Sequence, residues 1–86
     1  MGTLPPQEPS HRAIAMLRAV AAGSAELSWG SEPDLFVDGL PCDYVTAHEL
    51  VHSGLIRRHH PALARHRAPA ELTEAGRSTL AAAHAA

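Results

Sequence analysis

The sequence predicts a mainly α domain carrying a small antiparallel β-sheet. Three stretches space their apolar residues with a helical period, and each follows a good capping residue. Between them lie short strand-like runs broken by turn dipeptides, as in hairpins. Alanine supplies much of the 45% apolar content while aromatics make up 3%, so the core must be small and aliphatic, which suits helices. The 86 residues make one domain, with a modest core and a thin margin of stability.

Residues 1–9 hold three prolines and little apolar surface, and are expected to be a disordered tail ahead of a folded domain over 10–86. Ser10 caps a first helix over about 11–22, with Ile14, Leu17 and Ala21 on its apolar face and Ala13, Met16 and Val20 beside them. Gly23 stands where such a helix ends. Next, Ala25, Leu27 and Trp29 alternate with Glu26 and Ser28, and Leu35-Phe36-Val37 stops at Asp38-Gly39. A small hairpin is the simplest reading, with a short helix over 33–38 as the alternative. Trp29 and Phe36 are expected in the core.

Asp43 caps a second helix. At 100° per residue, Ala47, Leu50, Val51 and Gly54 fall on one side, and Val45, His48, Glu49, His52 and Ser53 on the other. Tyr44 flanks the apolar side. Gly54 followed by Leu55 has the form of a Schellman ending. From Ile56 a two-stranded excursion with a basic tip leads back to Leu72. Thr73 caps the last helix, whose first turns Gly76 and Ser78 weaken.

The formal net charge of −2 hides a strong asymmetry. Between Glu26 and Glu49 there are six acidic residues and no arginine; between Arg57 and Arg67, four arginines, three histidines and no acid. Such a basic stretch is an electrostatic footprint for a polyanion. The single cysteine, Cys42, excludes an internal disulfide and fits a reducing compartment. It is expected as a small buried residue, although a place near a helix N-terminus can also favour a reactive thiolate. No apolar run reaches membrane-spanning length, and the N-terminus lacks a signal-peptide pattern, so a cytoplasmic protein without a membrane partner is expected.

His48-Glu49-Leu50-Val51-His52 matches the zinc-protease signature His-Glu-x-x-His. There, a helix brings two imidazoles onto one face to hold Zn²⁺, and the glutamate activates the bound water. The extended form of that motif fails, because its further glycine and histidine positions hold Leu55 and Arg58. Glu71 or Glu74 is left as a third ligand. With seven histidines in the chain the pattern arises easily by chance, and a protease cleft in so short a chain is unusual. No enzyme activity and no cofactor are expected, and a metal site through these histidines ranks third.

The other motifs use more of the chain. A helix ending Leu50-x-x-x-Gly54-Leu55-Ile56, a basic excursion, then Leu72-Thr73-Glu74-Ala75-Gly76-Arg77 and a closing helix follow in order. Over about residues 11–82 this resembles the winged helix-turn-helix domains of MarR-type and PadR-type transcriptional regulators. The resemblance implies a recognition helix over 43–54 and a basic wing over 57–69. By that likeness Val45, His48, Glu49, His52 and Ser53 would face double-stranded DNA, and Arg57, Arg58, Arg65, His66 and Arg67 would form the wing and its base. It also implies a homodimer, paired through the terminal helices. The sequence departs from the pattern in one respect: the recognition helix carries Asp43 and Glu49 and no arginine or lysine. A winged helix that binds protein or peptide is therefore the alternative.

Overall fold

The computed structural model describes residues 10–59 and 67–85. Their order is α1 (His11–Ala21), β1 (Ala25–Ser28), β2 (Leu35–Val37), β3 (Leu40–Pro41), α2 (Tyr44–His52), β4 (Ile56–Arg58), β5 (Arg67–Leu72) and α3 (Glu74–Ala85). The five strands form one antiparallel sheet in the order β3-β2-β1-β5-β4. The domain is thus a small α+β fold of three helices and a five-stranded antiparallel sheet, as expected at that level.

α1 begins where Ser10 Oγ accepts a hydrogen bond from Ala13 N at 3.1 Å. Its buried stripe is Ala13, Met16, Leu17 and Val20, one residue round from the expected centre. Ile14 is only partly buried and Ala21 is exposed, because the sheet and the other helices cover α1 on the side centred at Leu17. Leu17 is fully buried and belongs to one core cluster with Leu27, Leu35, Ala47, Leu50, Ile56, Leu72 and Leu80, which together unite all three helices with the sheet.

The hairpin reading holds, since β1 pairs antiparallel with β2, Ala25 opposite Val37 and Leu27 opposite Leu35, and the short helix over 33–38 does not form; a second, shorter hairpin follows. Val37 pairs with Leu40 across Asp38 and Gly39, whose φ values of 52° and 83° make a left-handed turn that a right-twisted hairpin accepts. β1 lies mid-sheet, with Glu26 opposite Phe36 on one side and Pro69 on the other. Ala25 and Leu27 point to the core, as their alternation predicts.

α2 ends as expected. Gly54 at φ 74° donates to Val51 O, and Leu55 N donates to Leu50 O at 3.0 Å, closing a Schellman motif that turns the chain into β4. β4 then pairs with β5, Arg57 opposite Glu71, so the strands flanking the basic stretch sit at one edge of the sheet. Arg65 and His66, expected in that wing, lie outside the described residues.

Trp29 and Phe36 are not core residues. Both are half-buried at the rim of the sheet, and each carries an arginine across its ring. Their aromatic faces are used as platforms for charge, which leaves the buried core wholly aliphatic apart from Met16.

Candidate interaction surface

The outward side of α2 is set by its N-cap. Asp43 Oδ2 accepts from Thr46 N at 3.0 Å and from Thr46 Oγ1 at 2.6 Å, which fixes the helix start, and Arg12 of α1 stands 3.5 Å from the same oxygen. These contacts hold the Asp43 carboxyl below its ordinary range, the Thr46 bonds first and the arginine after them. With Ala47 and Leu50 buried beneath, Tyr44, Val45, Glu49, His52 and Ser53 are exposed. His48 is half-buried.

A neighbour that the linear sequence does not advertise completes this face. The loop between β1 and β2 folds back on Ser28, whose N–H donates to Asp34 O at 2.9 Å and whose Oγ accepts from Asp34 N at 2.8 Å. Pro33 is buried. The loop so pinned carries Glu32 and Asp34 to α2. Glu32 Oε2 lies 2.9 Å from His52 Nε2 and 3.3 Å from His48 Nδ1. Asp34 Oδ1 lies 3.3 Å from His48 Nε2, off the line of a hydrogen bond. The bond to His52 is the main reason that the Glu32 carboxyl is held below its ordinary value, with the nearby charge of His52 and His48 adding to it.

This arrangement bears on the His-Glu-x-x-His motif. His48 and His52 do share a face, but their ring nitrogens meet the carboxylates of Glu32 and Asp34. Of the two glutamates considered as a third ligand, Glu71 binds Arg57 and His59, and Glu74 opens α3. Among the described residues no group of three or more histidine, cysteine or acidic side chains is placed to hold a metal ion.

The described wing-base residues each meet a partner within the domain. Arg58 lays its guanidinium 4.4 Å from the centre of the Trp29 ring and donates through Nη1 to Ser28 O at 2.9 Å. Arg57 Nε and His59 Nδ1 each contact a different oxygen of Glu71, and those bonds lower the Glu71 carboxyl, that from His59 most. Arg67 lies 4.4 Å over the Phe36 ring. Each of these three arginines therefore has an intramolecular partner, though Arg57 and Arg67 remain exposed.

Three large apolar side chains are exposed among the described residues: Leu40 at 70%, Tyr44 at 63% and Val45 at 49%. They fall within six residues at the passage from β3 into α2. The Tyr44 ring meets the His48 ring edge-on, centroids 5.6 Å apart. Helical spacing puts Tyr44 only at the flank of the apolar side, and the linear sequence singles out none of Leu40, Glu32 and Asp34. An exposed leucine in a hairpin was the one local signal on offer; the acids have none, since their partners are 14 to 20 residues away. Cys42 is half-buried against the core, and burial raises its thiol, which leaves a reactive thiolate without support.

No protein-family model, curated protein or solved structure matches this chain. No helix among the described residues is long and apolar enough to cross a membrane.

Proposed function

We propose that this chain is a winged-helix binding module without catalytic activity, and that the outward face of α2 docks protein. The winged-helix reading rests on the sub-sheet β1-β5-β4, with α2 immediately before β4 and the basic stretch between β4 and β5. The β2-β3 hairpin stands where a helix-turn-helix has its second helix. One observation carries the choice of partner. The α2 face combines exposed Tyr44 and Val45 with the carboxylates of Glu32, Asp34 and Glu49, while Arg12 beside it is paired with Asp43 and the wing-base arginines Arg57 and Arg58 are engaged with Glu71, Trp29 and Ser28. A phosphate backbone is repelled by such a face, whereas protein surfaces pair apolar anchors with a charged rim.

The second reading is a DNA-binding transcriptional regulator, and the basic composition of 57–67 favours it. Exposed Arg57 and Arg67, together with Arg65 and His66, would then neutralise phosphates while Val45, His48, Glu49, His52 and Ser53 face the groove. Fluorescence anisotropy with a mixed-sequence duplex, at about 50 and about 200 mM salt and with or without chelator, separates the two. The protein-docking reading expects no salt-steep binding. Binding that weakens steeply with salt and ignores the chelator replaces it with the DNA reading.

A further inference from the structure

We propose that the outward face of α2 seats the 60–66 segment of a second copy of this chain, reciprocally, so that two such contacts hold a two-fold dimer. The inference rests on the reading of that face as a protein surface and names its occupant. The face has two parts. Tyr44 and Val45, adjacent in the first turn of α2, are its exposed apolar part. Glu49 on the same helix, with Glu32 and Asp34 brought in by the β1-β2 loop, supplies carboxylates beside it.

A matching occupant needs one apolar anchor among cations. His60-Pro61-Ala62-Leu63-Ala64-Arg65-His66 has that composition: Leu63 is its one large apolar residue, and from Arg57 to Arg67 the stretch holds no acid. The chain's two halves are therefore complementary in charge while its net charge is only −2, so association between copies meets little overall repulsion. The acids and the bases lie in different stretches of the chain, which lets the same pairing occur twice about a two-fold axis. An isologous contact of this kind closes on itself and doubles a small interface.

Sedimentation equilibrium of the full chain is the test, with three variants. The wild type is expected as a dimer at about 50 mM salt and a monomer at about 500 mM, since exposed pairs are screened over that range. Leu63→Ser and Tyr44→Ser should each weaken dimerisation at least about tenfold, as truncated anchors do. Arg65→Glu repeats the test of the segment by charge alone. An equimolar mixture of Leu63→Ser and Tyr44→Ser should regain part of the association, because one of its two contacts is intact. A monomeric wild type at low salt, or a dimer indifferent to salt, overturns the inference. Loss in Tyr44→Ser alone, with Leu63→Ser and Arg65→Glu unaffected, overturns the occupant and leaves α2 a protein surface. Loss in Leu63→Ser alone overturns α2 as the seat, and with it the reading on which the inference rests.

Discussion

Gly76 in the first turn of α3 lies against the backbone of Leu55, where the chain leaves α2. A Cβ at position 76 would overlap the Leu55 carbonyl oxygen and stand 3.0 Å from the carbonyl carbon. Thr73 ties the same junction: its N–H donates to Leu55 O, its hydroxyl donates to Gly54 O, and Gly76 N donates to that hydroxyl. Sequence propensity marks this glycine as a weak point of the helix; in the folded chain it is what allows α3 to reach the end of α2.

Gly76→Ala should therefore destabilise, although alanine is the better helix former. The clash is with backbone and cannot be relieved by a rotamer change, so a loss of about 2–4 kcal/mol is expected in urea denaturation. Ser78→Ala, at an exposed position of the same helix, should instead be neutral or gain about 0.5 kcal/mol. Equal effects at the two positions would contradict the close approach.

Trp29 is the chain's one tryptophan and lies under Arg58, which makes it a reporter of the wing base. Arg58→Lys keeps the charge but loses the planar stack and the aligned bond to Ser28 O. A cost of about 1 kcal/mol is expected, with a shift of Trp29 emission as the ring becomes wetter. An unchanged emission spectrum would mean that the stack does not persist in solution.

The carboxyls of Glu32, Asp43 and Glu71 are all held below their ordinary values. For a depressed carboxyl the stabilisation is fully present above the unfolded-state pKa and is lost as pH falls through the folded one. The melting temperature should thus be flat with respect to these groups above about pH 5 and fall below it. Glu32→Gln should flatten part of that fall. Because the three groups are solvent-screened, each share is small. A slope identical in wild type and Glu32→Gln would show that the bond to His52 carries no stability.

Asp43 has two tasks that substitutions separate. Asp43→Ala removes the cap of α2 and should cost about 1 kcal/mol. Asp43→Asn retains a capping oxygen and loses only the exposed pair with Arg12, a change of a few tenths of a kcal/mol. Guanidinium titrations of the two variants would check the order.

Much of the scaffold was legible in the linear chain. The caps Ser10 and Asp43, the alternation of Ala25 and Leu27, the Asp38-Gly39 turn, the Gly54-Leu55 ending and the strand pair around the basic stretch all appear where spacing placed them. Apart from the strand pair, whose partners such as Ile56 and Leu72 are distant in the chain, these are signals between residues at most about five apart, and backbone geometry over such spans is set by local sterics and hydrogen bonding. The candidate surface was half legible. Helical periodicity told which side of α2 faces out, but not that Glu32 and Asp34 would occupy it.

Local sequence thus determined the elements and their ends, and tertiary structure decided what each exposed group meets. Whether His48 and His52 face a metal, a phosphate or a carboxylate depends on where the β1-β2 loop returns, which follows from the pairing of Glu26 with Phe36 and the fold of that loop onto Ser28. Whether Trp29 is core or platform depends on Arg58, set beside it by the register of β4 on β5. Such contacts join residues 14 to 30 apart, and no period or cap encodes them; they follow only once the aliphatic core has fixed the sheet against α1.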